Sequence, residues 1–227
     1  MSPQGIDMQR EATHFKNRVL DLVDTFVKNQ PTNPLVLRLI SPLMDLITGS
    51  SNDERQLSDK AKGILRSRIA KSKEVPSEIE AQVALTILND LHSRARKTRL
   101  SDMLPTLSDC SIYLSKVLIQ LKADQSLIQV YQQSLADFLT RKNSSLNTSF
   151  FQSFIRRYPA SAWSLRTDLL ELLNRSVNVY RQCQAYQLLE QLIVQLPAMV
   201  YFLSFVSETT IDIVKRVKLN RLISPIL

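Results

Sequence analysis

The stretch HSRARKTR, residues 92–99, places Arg94, Arg96, Lys97 and Arg99 within six positions, with no acid among them. Like charges at that spacing repel one another, so such a run calls for a counter-charge. An extended phosphate backbone would supply one. Four more basic groups recur along the chain. They are Arg66, Arg68, Lys71 and Lys73; Arg141 and Lys142; Arg156 and Arg157; and Lys215, Arg216, Lys218 and Arg221. Nearly all fall in the last turn of an expected helix or just beyond it. There the macrodipole favours a cation by about 0.3–1 kcal/mol, so one basic pair needs no ligand. A row of such groups along one edge would be an electrostatic footprint for nucleic acid.

Catalytic constellations are missing from the pattern. His14 and His92 lie far apart, each among polar or basic neighbours, without metal-ligand spacing. Three scattered glycines (Gly5, Gly49 and Gly63) cannot build a phosphate-cradling loop. The acids come mostly singly. Asp21 with Asp24, and Asp53 with Glu54, read as solvated helix faces and dipole partners rather than metal clamps. The expectation is a protein that is not an enzyme, with no cofactor, no metal and no small-molecule substrate.

The elements that would carry the cations are helices. Apolar residues recur at helical spacing almost throughout. In 9–29 the stripe is Phe15, Val19, Leu22 or Val23, and Phe26. In 34–48 it is nearly continuous, after an Asn33 cap, with Pro42 expected to kink it. Further helices are expected over 54–71, 77–97, 100–121, 124–141, 148–157, 161–180, 183–196 and 199–217. Glu78 and Glu80 suit a first turn, and RKNSSLNTS reads as a loop. Phe150, Phe151, Phe154, Tyr158 and Trp163 have helical spacing and read as core rather than as a base-stacking platform. RNA contact would then follow shape and backbone.

Taken in antiparallel pairs, the helices start near 9, 54, 100, 146 and 183. That period, about 45 residues, matches HEAT or armadillo repeats of about 40–47. The expected fold is all-α: a HEAT/armadillo-like solenoid of about ten helices, with a single-layer bundle as the competing architecture. Residues 1–8 would be disordered and 9–227 would form a single domain. In such a solenoid Arg94–Arg99, Arg141–Lys142 and Lys215–Arg221 share one edge. The groups at 66–73 and 156–157 lie on the opposite one.

Composition agrees with this reading. Apolar residues make up 44% of the chain, enough for a core, and the formal charge is +8, which favours anionic partners. Cys110 and Cys183 read as packed thiols, too few for a disulfide framework, and suit a reducing compartment. No apolar run reaches the roughly 18–20 residues of a membrane span. LIVQLPAMVYFLSFV is interrupted by Gln195 and Pro197. The start has no signal-peptide pattern. The abrupt RLISPIL end reads as a cut within a longer chain.

HFKNRVLDLVDTFVKNQPTNPLVLRLISPLMDLI, residues 14–47, resembles the C-terminal part of the DNA polymerase phi family, which includes Myb-binding protein 1A and its fungal counterpart. LSDKAKGILRSRIAKSKEVP, residues 57–76, continues the likeness. These motifs are structural: helices around a proline-rich turn. The resemblance implies a nuclear, nucleolar protein of helical repeats, acting in ribosomal RNA synthesis and large ribosomal subunit biogenesis. Its partners would be ribosomal RNA or preribosomal particle proteins, and rDNA. Members are long, with an acidic middle and a lysine-rich tail that this chain lacks, so it would be a folded C-terminal piece. No polymerase metal site is present, and polymerase activity is not carried over. The alternative function is a protein–protein docking module of a transcription regulator, without nucleic-acid contact. A capping role would leave apolar surface along 219–227 exposed.

Overall fold

The computed structural model describes residues 3–49, 54–76, 78–100 and 102–195, with side chains from residue 11 onward. Among them every regular element is helical. In chain order these are α1 (Pro3–Asn29), α2 (Leu35–Arg38), α3 (Ile40–Gly49), α4 (Arg55–Gly63), α5 (Ala81–Lys97), α6 (Met103–Gln120), α7 (Asp124–Thr140), α8 (Thr148–Arg157), α9 (Pro159–Ala162), α10 (Arg166–Leu173) and α11 (Val179–Val194). A π-helical turn, Ile64–Ile69, extends α4, and a 3-10 turn, Trp163–Leu165, joins α9 to α10.

The chain divides into two compact units. One comprises residues up to Ala95 together with 100–127; the other comprises 96–99 and the chain from Ile128 onward. Repeat helices bury their apolar faces chiefly on their neighbours, so compactness is set locally.

Polar pairs in the first unit reveal the repeat directly. Lys16 pairs with Glu54 (2.6 Å), Lys60 with Asp21 (2.7 Å) and Arg68 with Asp24 (2.8 Å). The partners advance together along both helices, so α1 and α4 run parallel. Lys62–Asp102 and Arg66–Asp109 do the same for α4 and α6. Ser41–Asp90 and Asp45–Arg94 do so for α3 and α5. Separations run from 38 residues for Lys16–Glu54 to 49 for Ser41–Asp90. Each is one helix pair along the chain. α3 packs across α4, and α6 packs against the π-helical turn.

The second unit repeats the scheme with a shorter step. Gln132 Nε2 donates to Asp168 Oδ2, joining α7 to α10 across 36 residues. Gln191 Nε2 donates to the Gln152 carbonyl, joining α11 to α8 across 39. α7 and α8 are antiparallel. Tyr131 stacks on Phe154 with ring centroids 3.8 Å apart, while Phe138 meets Phe151 at 5.3 Å. Phe150, Phe151 and Phe154 are core, as their spacing suggests; Tyr158 and Trp163 are half-buried. The fold is an all-α helical-repeat solenoid type, built from antiparallel pairs.

Local chemistry explains where the helices depart from expectation. α1 begins at Pro3, ahead of the expected start near residue 9. Its apolar stripe is turned: Leu20 and Val27 are buried, while Phe15 and Leu22 are 69% and 70% exposed. The 34–48 helix breaks at Leu39, because Pro42 has no N–H for the Arg38 carbonyl four residues back. α5 begins at Ala81, leaving Glu78 and Glu80 ahead of the helix. The expected 161–180 helix ends at Leu173, and α11 starts at Val179 behind an Asn178 cap that accepts from Arg181 N. After α6 the chain turns through Lys122 at φ 57°, a position that favours glycine. The expected 199–217 helix and the 219–227 surface lie outside the described residues.

Candidate nucleic-acid interface

Three segments converge at one end of the second unit: residues 96–99, the loop 141–147 after α7, and residues 177–181 leading into α11. Three sets of bonds hold them. Ser145 N donates to the Arg96 carbonyl at 3.4 Å, and Val177 N to the Leu139 carbonyl at 2.9 Å. Arg181 then donates from Nη1 to the Leu146 carbonyl (3.5 Å) and from Nη2 to the Ser144 carbonyl (3.4 Å). Its guanidinium lies over the Phe138 ring, 4.3 Å from the centroid. Burial lowers the pKa of Arg181 from its ordinary value. Arg181 is therefore a strut that shapes this end.

The cations displayed here are Lys97, Arg99, Arg141 and Lys142, all exposed. Arg141 Nη1 reaches Asp137 Oδ1 at 3.0 Å, yet half of its side-chain surface stays open. Lys97, Arg99 and Lys142 form no ion pair among the described residues. Arg96 is half-buried, with its Nη1 wholly enclosed. The start of α11 brings the positive end of its dipole to the same place. Of the basic groups read from the sequence, the 96–99 part of Arg94–Arg99 and the whole of Arg141–Lys142 thus share one end of this unit.

The remaining cations fall elsewhere. Arg94, in the first unit, is held by carboxylates. Its Nε lies 3.0 and 2.9 Å from the two oxygens of Asp90, and its Nη1 lies 2.6 Å from Asp45. Burial works to lower its pKa, but the bonds to Asp90 and Asp45 outweigh it and hold the group above its ordinary value. Arg66 and Arg68 are likewise paired with Asp109 and Asp24. Lys71 and Lys73 are exposed; with Lys28 and Arg68 they line an open hollow of about 270 Å³. Arg156 and Arg157 end α8 at the opposite end of the second unit from Arg141. Lys215, Arg216, Lys218 and Arg221 lie outside the described residues.

Sequence reasoning missed Arg181, Asn178 and Tyr180. The first looks out of place, a cation at the start of a helix, and only its distant carbonyl partners explain it. Asn178 carried a readable signal, an Asn directly before a helical run. Tyr180 is the last residue of the expected 161–180 helix, but α10 ends at Leu173 and Tyr180 falls in the first turn of α11. Of the thiols, Cys110 is buried as expected, but Cys183 stands on the exposed face of α11. Among the described residues no group of His, Cys, Asp or Glu is placed to hold a metal, and no helix is long and apolar enough to cross a membrane.

Residues 30–204 match the family described as Myb-binding protein 1A-like, TPR repeats. The chain is 28% identical over 189 residues to a Myb-binding protein 1A-like protein of Danio rerio, an alignment covering 75% of this chain and 15% of that one. It is 26% identical over 211 residues to Myb-binding protein 1A of Homo sapiens, covering 74% and 16%. Over 150 residues it is 25% identical to the rDNA transcriptional regulator pol5 of Schizosaccharomyces pombe, covering 64% and 15%. The chain thus spans about a sixth of the length of these relatives. No solved structure matches it.

Proposed function

The chain belongs to the Myb-binding protein 1A-like family of TPR repeats, and from that premise we propose a non-catalytic scaffold of a nuclear, nucleolar factor. It would act in ribosomal RNA synthesis and large ribosomal subunit biogenesis, gripping preribosomal RNA or its assembly proteins. The observation that carries this reading is the meeting of Lys97, Arg99, Arg141 and Lys142 at one end of the second unit. Cations from separate segments, held in place by backbone hydrogen bonds, present a fixed positive surface to a phosphate backbone. The name of the fission yeast relative, a regulator of rDNA transcription, points to the same setting. This reading assigns no chemistry to the chain.

A second reading has its own observation. Phe15, Val19 and Leu22 form an exposed apolar stripe on α1, the kind of face that takes a partner helix. On that reading the chain is a protein–protein docking module and the cations are solvated helix ends.

The test is binding of the purified 227-residue chain to an unstructured ribosomal RNA fragment at about 150 mM salt. The wild-type chain should bind, and reversing Lys97, Arg99 and Lys142 to Glu should abolish binding while the thermal transition stays in place. Equal binding by the reversed variant overturns the basic-end reading. Wild-type binding seen only at low salt leaves the docking module as the function.

A further inference from the structure

We propose that Tyr180 is a base-stacking residue and that the basic end of the second unit takes single-stranded RNA in preference to duplex. The inference rests on the RNA-binding reading above and deepens it.

Tyr180 is 69% exposed, whereas Tyr113 and Tyr131 are buried in helix faces. A lone exposed tyrosine needs no explanation, but this one lies on the segment 177–181, whose Val177 and Arg181 are bonded to the end of α7 and to the 141–147 loop, which carries Arg141 and Lys142. It lies in the first turn of α11, next to the residue that clamps the 141–147 loop. Asn178 caps the helix, accepting from Arg181 N at 2.8 Å, and Val177 N is tied to the Leu139 carbonyl. The Val177 backbone bond, the Asn178 side-chain cap and the Arg181 guanidinium thus hold the chain on both sides of Tyr180, so its ring is carried on anchored backbone. Val177 and Val179, 38% and 70% exposed, add apolar surface beside it.

An aromatic face next to a run of cations is the combination that single-stranded nucleic acid uses. The cations follow the backbone, and a base stacks on the ring whatever its sequence. A duplex cannot use the ring, because its bases already stack on one another. The four cations would serve either nucleic acid; the exposed ring is what selects the single strand.

The experiment compares the whole chain and two variants, Tyr180→Ala and Tyr180→Phe, on a 12-nucleotide oligouridine and on an RNA duplex of equal length. Tyr180→Ala should bind oligouridine about five- to a hundredfold more weakly. Its salt dependence should be unchanged, since no phosphate contact is lost. Tyr180→Phe should bind as the wild type does. Duplex binding should be weaker than single-strand binding and indifferent to both substitutions. With 4-thiouridine in the oligonucleotide, the photocrosslink should map to the tryptic peptide Ser176–Arg181. Equal binding of oligouridine by wild type and Tyr180→Ala, with Lys97→Glu still weakening it, overturns the stacking role and leaves the basic end standing. Loss of binding by Tyr180→Phe also overturns it, because the hydroxyl rather than the ring would then be needed. No binding of either RNA by the wild-type chain at about 150 mM salt removes both readings.

Discussion

Arg94 and Asp45 stand one repeat apart, and Nη1 of the arginine lies 2.6 Å from Oδ1 of the aspartate. The same guanidinium holds both oxygens of Asp90 through Nε. The first arginine of HSRARKTR therefore joins α5 to α3, while Lys97, three residues later, faces solvent. One run of cations divides into a structural part and a displayed part.

Replacing Arg94 by Ala should destabilise the first unit by about 1–2 kcal/mol, most of it from the half-buried bonds to Asp90, since the exposed Asp45 arm is screened by solvent. Urea unfolding measures the loss. Asp45→Asn should cost much less than Asp90→Asn, and equal costs would contradict this division.

Lys97→Ala and Lys142→Ala should each flatten the dependence of RNA affinity on salt. One lost contact lowers the slope of log K against log salt by about 0.7 on a single strand. Arg94→Ala should leave that slope alone. Titrations at four salt concentrations separate the three variants, and a slope that falls most for Arg94→Ala would reverse the assignment.

Arg181 should tolerate no substitution, lysine included. Its planar guanidinium covers the Phe138 ring and donates to two carbonyls at once, which an ammonium cannot match. Both Arg181→Ala and Arg181→Lys should speed amide exchange across 144–147 and cost about 1–2 kcal/mol. Full rescue by lysine would show that charge alone matters there.

The thiols offer a reporter. Cys183 is exposed and should alkylate in the native protein. Burial raises the Cys110 thiol far above its ordinary pKa, so it is both shielded and protonated at neutral pH. It should react only when the first unit opens, at a rate that rises with urea. Alkylation of both thiols at the same rate in buffer would contradict the burial of α6.

Lys122→Gly should stabilise the chain by about 0.5–1 kcal/mol, because the left-handed turn after α6 strains a residue with a Cβ. Thermal denaturation reads the gain, and a lower midpoint would contradict it.

Several of these features could be read in the chain itself. Helical class followed from apolar spacing and scarce glycine, and the step near 45 residues from the helix starts. Pro42 announced its kink, and the aromatic run at 150–154 announced a core. Helix limits were legible only where a breaker or cap stood in the right place. The expected 161–180 helix failed because SVNV carries no proline or glycine, and Asn178 acts through one side-chain bond to Arg181 N. Phe15 and Leu22 have the spacing of a buried stripe, but whether a stripe is covered depends on which helix lies beside it.

The sequence by itself determined that the chain is helical, that it repeats, and that its cations gather at helix ends. Helicity and the placing of cations at helix ends are local properties, set within about one turn of helix by side-chain period and dipole, and the repeat follows from the spacing of the helix starts. The tertiary structure alone decided which cations are neutralised and which are displayed. The acids that silence Arg66, Arg68 and one arm of Arg94 stand 43, 44 and 49 residues away, respectively. The carbonyls that fix Arg181, and with it the setting of Tyr180, come from 35 and 37 residues upstream. A charge is spent or free according to what packing brings within a few ångströms of it, because screening in water removes the influence of anything much farther.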